Sequence, residues 1–326
     1  MPRILVSENI TGTEMDALRE QFEVVWEPDL WKSPPKLREA ARDADAILVR
    51  NQTSVDAELI AAAGPRLAVI GRAGVGLENV DCAAASAAGV VVVYAPEQNS
   101  ISVAELAIGM MLGLARMIPA ADRSAKSGAW DRKRFMGGIE LYGKTLGIVG
   151  MGRIGFLTAM RARAFGMEVI AFDPVVSPDS PLVTEARARL TTLDELLATA
   201  DFVSCHVPET PGTMSLFDYA KFCRMKGGAF FINTSRGKVV DEAGLARALE
   251  EKRIGGAALD VRAKEPPDGP LSTADNVILA PHIGAFTVEG QERVVTSVCR
   301  DVAAVLLGKP ARNFFNFARP LREASV

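Results

Sequence analysis

The feature that most constrains this chain is a glycine-rich turn between a strand pattern and a helix pattern. Residues 146–149 are apolar and run directly into Gly150-Met151-Gly152-Arg153-Ile154-Gly155. A helical pattern follows through Phe165, Gly166 stops it, and a second apolar stretch, 168–172, ends at Asp173. Gly-x-Gly-x-x-Gly alone is a weak signal. With a strand before it, a helix after it and an acid closing the next strand, it predicts a dinucleotide-binding βαβ unit. Gly150 permits the tight turn, Gly152 lets the backbone approach a pyrophosphate, and Gly155 lets helix and sheet pack closely. The helix start offers N–H donors and a partial positive charge to the phosphates. Asp173 can accept hydrogen bonds from both ribose hydroxyls and would repel a 2′-phosphate, and Pro174-Val175-Val176 brings no arginine to bind one. The expected cofactor is NAD rather than NADP.

This unit sits within a longer alternation. The chain has 326 residues, which favours two domains. Apolar runs at 4–6, 24–26, 46–49, 68–70 and 90–94 read as buried strands, with helical stretches near 13–21, 35–41, 56–63 and 80–88 between them. A second series starts at Thr145, with strands expected at 146–149, 168–172, 202–206, 229–233, 257–260 and 277–280. Between the series, 100–127 reads as one long helix with a breaker, Pro119, inside it. An irregular arm at 128–143 carries Arg132-Lys133-Arg134, and a last helix covers about 289–307. The expected fold class is α/β, with two doubly wound parallel sheets and the second domain inserted into the first.

Composition removes several functional classes. A net charge of −3 gives no general field for nucleic acid. No apolar run approaches the roughly 18 residues of a membrane span; the nearest, 102–118, is interrupted by Glu105 and Arg116. The N-terminus, Met-Pro-Arg-Ile-Leu-Val-Ser, lacks the regions of a signal peptide. Cys82, Cys205, Cys223 and Cys299 are far apart and suggest neither a disulfide framework nor a zinc site. A cytoplasmic protein without a metal is expected. Its only imidazoles are His206 and His282.

Three segments each place a polar side chain just beyond an apolar strand: 231–237 with Arg236, 258–266 with Glu265, and 279–284 with His282. Ligands of open α/β sheets bind outside the carboxyl ends of strands. Taken singly, Arg236 reads as a surface cation, Glu265 as a loop carboxylate and His282 as a turn residue; their common placement favours a site. Hydride transfer from C2 of an alcohol needs a base for the hydroxyl proton, which a histidine supplies near neutral pH. A carboxylate holds the ring and stabilises the imidazolium, and a guanidinium grips a substrate carboxylate with two prongs. His206 precedes Val207-Pro208 and suits a cofactor-edge or structural role.

These residues resemble the D-isomer-specific 2-hydroxyacid dehydrogenases over nearly the whole chain. The matching segments are 72–81 (Arg72-Ala73-Gly74-Val75-Gly76-Leu77-Glu78-Asn79-Val80-Asp81), 99–105, 143–155, 206–208, 233–237, 256–266 and 281–285. Segments 72–81 and 130–136 are most similar to the 3-phosphoglycerate dehydrogenase branch. The resemblance implies a Rossmann NAD-binding domain (99–286) inserted into a flavodoxin-like substrate domain (1–98 and 287–326). It implies that Arg236 binds and polarises the substrate, that Glu265 assists His282, and that His282 is the acid/base. It implies that amides around Gly74, Val75 and Gly76 bind the substrate carboxylate, with Asn99 nearby, and that Asp260 holds the nicotinamide carboxamide. Arg153 and Ile154 would contact the pyrophosphate, while His206, Val207, Pro208, Thr234, Ser235, Gly284 and Ala285 border the cofactor. It also implies a homodimer built around the long helix and the arm.

Two departures stand out. Longer members of that branch carry C-terminal domains that can bind serine, so serine feedback is not expected here. The family's common phenylalanine after Val261 is Arg262. Arg50, Arg72 and Arg132 look like positions for a distal anionic group on a 2-hydroxy or 2-keto acid, although each also reads as an ordinary solvated arginine. A hydroxypyruvate or glyoxylate reductase shares the same machinery, and a corepressor using the fold as an NAD sensor is the alternative of another class.

Overall fold

The computed structural model describes residues 1–264 and 269–321. In chain order it begins β1 (Arg3–Val6), α1 (Thr13–Gln21), β2 (Glu23–Trp26), α2 (Pro34–Ala41), β3 (Ala46–Val49), α3 (Ala57–Ala63), β4 (Val69–Arg72), α4 (Cys82–Ala87) and β5 (Val91–Val93). It continues with α5 (Ser100–Ala115), α6 (Ile118–Lys126), β6 (Thr145–Val149), α7 (Arg153–Ala164), β7 (Glu168–Phe172), α8 (Pro181–Thr184), β8 (Arg189–Leu190), α9 (Leu193–Thr199) and β9 (Phe202–Cys205). The last elements are α10 (Tyr219–Arg224), β10 (Phe230–Asn233), α11 (Glu242–Glu250), β11 (Gly256–Leu259), β12 (Val277–Leu279) and α12 (Val288–Leu306).

The chain forms two units, Met1–Asn99 with Phe286–Val326, and Ser100–Ala285. In the first, a parallel sheet runs β2-β1-β3-β4-β5, a flavodoxin-like order. Buried aliphatics cover both faces, one with α1 and α12 and the other with α2, α3 and α4. Gly71 lets α12 lie close on β4, because a Cβ there would stand 2.8 Å from Val302. In the second unit the parallel order is β12-β11-β10-β9-β6-β7-β8. This is the Rossmann order extended by one strand. Its faces are also both covered, which explains why its strands read as continuous apolar runs rather than alternating ones. Phe217, Phe222 and Phe231 pack ring against ring, the closest centroids 4.7 Å apart.

Two elements differ from the sequence expectation. The single helix over 100–127 is two helices, α5 and α6, bent by 63°. The break lies at Met117, which takes the left-handed conformation (φ 52), and Pro119 falls in the first turn of α6. That is where a proline is tolerated, because the missing N–H would have no intrahelical partner. No single described helix is long and apolar enough to cross a membrane. The second difference is β8, whose two residues are too short for a periodicity to register.

Candidate functional site

In the second unit the strand order reverses at β6, between β7 and β9, and a ligand crevice is expected at such a switch point. Gly150 leaves β6 at φ +96, and a Cβ on it would lie 2.9 Å from the His206 carbonyl carbon and oxygen. Gly155 packs on the same turn, its notional Cβ only 2.2 Å from the Gly150 oxygen. A Cβ on Gly152 would meet no protein atom within 4 Å, so its outer face is open. Gly152 is also the N-cap of α7, and no side chain caps that helix. Its first amides are therefore available to an anion. Arg153 is exposed with its guanidinium over Phe156, and Ile154 is half-buried.

Asp173 lies just past β7. Its Oδ2 accepts from Met151 N at 2.8 Å, and its Oδ1 from Val175 N and Val176 N at 2.8 and 3.1 Å. Three of a carboxylate's roughly four acceptor positions are thus occupied by backbone amides.

Two buried polar atoms stand without a hydrogen-bond partner at adjacent strand ends, His206 Nδ1 after β9 and Thr234 Oγ1 after β10. Each such atom costs about 1–3 kcal/mol when unmatched, so a polar ligand there is favoured. The other His206 nitrogen, Nε2, lies 2.9 Å from Ser204 Oγ. Burial pushes the His206 imidazole down to about 4. Val207 is buried and Pro208 exposed beside it. The open Gly152 face, the uncapped helix and the two orphaned atoms together fit a dinucleotide.

The remaining strands of this sheet bring the polar loops to one edge. Asn233, Leu259 and Leu279 are mutually in register on β10, β11 and β12. Asp260 N donates to Asn233 O at 2.9 Å, and His282 N donates to Asp260 O at 2.8 Å. Arg236 and His282 therefore leave one carboxyl edge from loops tied to the same residue pair. The buried Asn233 shapes the first loop: its Oδ1 accepts from Ser235 N and Oγ, and its Nδ2 donates to Arg236 O. Arg236 is half-buried, with Nη1 donating to Ser235 O. His282 is exposed at φ 58. The buried Asp260 pins that turn, Oδ1 taking Ile283 N and Oδ2 taking Gly284 N, both at 2.8 Å. The carboxylate expected to hold a carboxamide thus also holds the histidine turn. Ala285 follows, half-buried. Glu265 lies outside the described residues, and among those described no three His, Cys, Asp or Glu gather as a metal site.

In the first unit, Arg50 follows β3 at that sheet's own switch point. The buried Glu8 organises its loop, accepting from Arg50 N, Thr53 N and Gln52 N at 2.8–3.1 Å. Burial lowers the pKa of the Arg50 guanidinium, and Glu8 partly offsets this. Its side chain donates to Gln291 and lies over Phe286. Arg72 Nε donates to Asn79 Oδ1 at 3.4 Å, and Asn79 Nδ2 bridges the Arg50 and Thr53 carbonyls. Gly74, Val75 and Gly76 are half-buried. A Cβ at 74 would collide with the Arg72 guanidinium, and one at 76 with the Glu78 carboxylate. Asn99 is half-buried at the unit boundary. Arg132 is exposed on the arm of the second unit. Sequence reasoning missed Glu8 and Glu242. Glu8 is a charge two residues past the apolar strand β1, a signal that could have marked it; Glu242 gave none.

Residues 108–284, more than half of the chain, match the model of the D-isomer specific 2-hydroxyacid dehydrogenase NAD binding domain. The chain belongs to the D-isomer specific 2-hydroxyacid dehydrogenase family. It is 45% identical over 316 residues to D-3-phosphoglycerate dehydrogenase of Archaeoglobus fulgidus, covering 96% of this chain and 59% of that one. The chain spans less than two thirds of the length of these curated relatives. Among solved structures, the TT0316 protein of Thermus thermophilus is 34% identical at a TM-score of 0.88, with 96% of this chain and 99% of that chain covered. A glyoxylate reductase from Paecilomyes thermophila is 30% identical at a TM-score of 0.85, with 96% and 98% covered.

Proposed function

We propose that the chain is an NAD-dependent D-2-hydroxyacid dehydrogenase acting on a small 2-hydroxy or 2-keto acid, of the 3-phosphoglycerate dehydrogenase type. The observation that carries this is the carboxyl edge where Asp260 ties the His282 turn to the loop of Arg236, in the sheet that also bears the open glycine turn. When bound, NAD would accept the hydride from C2 of the hydroxy acid, and NADH would return it to C2 of the keto acid. Arg236 grips the substrate carboxylate and polarises its carbonyl. In reduction His282 delivers a proton to the C2 oxygen, and in oxidation it removes one. Glu265 steadies the imidazolium, and amides of Gly74, Val75 and Gly76 bind the carboxylate. A panel of phosphohydroxypyruvate, hydroxypyruvate, glyoxylate and sulfopyruvate with NADH tests the reading; no cofactor oxidation with any of them defeats it.

NADH is expected to be preferred to NADPH in kcat/KM, because Asp173 is a fixed charge where a 2′-phosphate would sit. Asp173→Ala narrows the gap. Equal values in the wild type would refute the assignment.

An anionic distal group is expected to improve the substrate through Arg50, Arg72 and Arg132. Losing one charge-assisted contact costs about 1.5–3 kcal/mol, or roughly ten- to a hundredfold in kcat/KM. Arg50→Ala and Arg72→Ala should therefore damage phosphohydroxypyruvate turnover more than glyoxylate turnover, and equal damage would count against the idea. A glyoxylate or hydroxypyruvate reductase is the second reading. It is favoured by the engagement of Arg50 with Gln291 and Phe286, which occupies part of its donor set.

The reading includes a cytoplasmic homodimer. The arm exposes Trp130 and Met136, 83% and 80% accessible, and its Phe135 lines a groove of about 440 Å³ together with Leu114, Met117, Pro119 and Ile278. Exposed apolar surface of this kind marks association. Sedimentation should give twice the chain mass, with Trp130→Glu shifting it to the monomer; a monomeric wild type would refute the dimer. The four cysteines are unbridged, in keeping with a reducing compartment, which cell fractionation checks.

A further inference from the structure

Arg262, which replaces the expected phenylalanine, is almost fully enclosed, its side chain 4% accessible. It forks onto Glu242, the first residue of α11, with Nε to Oε1 at 2.9 Å and Nη2 to Oε2 at 2.7 Å. Glu242 Oε1 also accepts from Ala263 N at 2.8 Å. The helix start further favours the Glu242 charge. On the other side, Gly237 presses against the same loop: a Cβ there would lie 2.1 Å from the Arg262 carbonyl carbon and oxygen. Gly237 directly follows Arg236, and two residues before Arg262 stands Asp260, which pins the His282 turn.

We propose that the Arg262–Glu242 pair is a positioning device for the catalytic edge. It sets the course of residues 261–264, directly after Asp260, against the segment carrying Arg236. The planar fork has one orientation, unlike a phenylalanine ring, which packs without directional bonds. Glu242→Gln takes this carboxylate from an enclosed guanidinium, and Arg262→Lys takes the two-pronged donor from a carboxylate that is 24% accessible; in either case the directional bonds that fix the loop are lost. This inference rests on the dehydrogenase reading for its kinetic consequences and on the geometry alone for its structural ones.

The test uses the full chain carrying Arg262→Lys, Glu242→Gln and both together. Arg262→Lys keeps the charge and loses the fork. Each single variant should lose roughly ten- to a hundredfold in kcat, since small misplacements near reacting groups have effects of that size. The NADH dissociation constant should rise by less than kcat falls, because the glycine turn is untouched and only the nicotinamide end lies near the shifted loops. The double variant should be no worse than the poorer single one, as expected for two halves of one device. Amide exchange at Ala263 and Gly284 should quicken while that of β6 and β9 does not. A folded Arg262→Lys with wild-type kcat and unchanged exchange overturns the proposal, as do additive losses. Should the single variants not fold, the Arg262→Met/Glu242→Leu variant replaces both charges; wild-type turnover and exchange in it have the same force. A wild type inactive on every keto acid defeats the dehydrogenase reading instead, and the exchange data then decide the positioning claim by themselves.

Discussion

Replacing His282 by alanine is expected to lower kcat about 10²–10⁴-fold, the usual contribution of a positioned acid/base, while leaving NADH binding nearly intact. The chain has only two imidazoles, and their surroundings divide the work. His206 is held neutral by burial, with a pKa of about 4. At neutral pH it therefore has almost no imidazolium to donate during keto-acid reduction. His282 is exposed on the turn that Asp260 anchors, where a substrate oxygen can reach it. The matching variant, His206→Ala, should instead weaken NADH binding, because the residue's backbone abuts the Gly150 turn and its ring carries an orphaned Nδ1. Measuring kcat and NADH affinity in both variants checks the division. If His206→Ala abolishes turnover while His282→Ala retains it, the proton donor has been misassigned.

Asp260→Ala should be among the most damaging single changes to both stability and rate. The Asp260 carboxylate accepts from the Ile283 and Gly284 amides. Stranding two such donors costs about 1–3 kcal/mol each, or roughly 2–6 kcal/mol together. The same bonds hold His282 in a left-handed conformation that a non-glycine residue adopts at a cost of about 1–2 kcal/mol. Once they are gone the turn relaxes toward ordinary φ, and the imidazole leaves the edge it shares with the Arg236 loop. A fall in denaturation midpoint together with a kcat loss of at least about tenfold is the expected result. Asp260→Asn, which keeps one acceptor oxygen, should recover part of the stability. A stable Asp260→Ala variant with normal turnover would show that the turn is held by something else.

The parallel sheets were legible because a strand buried on both faces must be apolar throughout. Runs such as 46–49 and 168–172 appear in the structure with those limits. The glycine turn was legible for a different reason. Gly150 and Gly155 are demanded by local backbone contacts, which need no knowledge of the rest of the chain. The bend at Met117 was not, since a proline in a helical pattern signals a break without saying on which side it falls; the first-turn position of Pro119 moved it upstream.

Within the candidate site, the positions of Arg236 and His282 beyond β10 and β12 follow from where apolar runs end. What those runs could not reveal is which strands are neighbours. Only the order β12-β11-β10-β9-β6 puts Asp260 between the two loops and lets it bond to both. The second jobs of Asp173 and Asp260, the anchoring by Glu8 of the Arg50 loop, and the burial of Arg262 against Glu242 were likewise settled by tertiary structure. A carboxylate or guanidinium in sequence shows its charge, but its partner is chosen by backbone brought from elsewhere in the chain. Local sequence therefore determined which segments are strands and where the turn chemistry lies. Long-range packing decided which polar groups are left to meet a ligand and which are taken up in holding the loops.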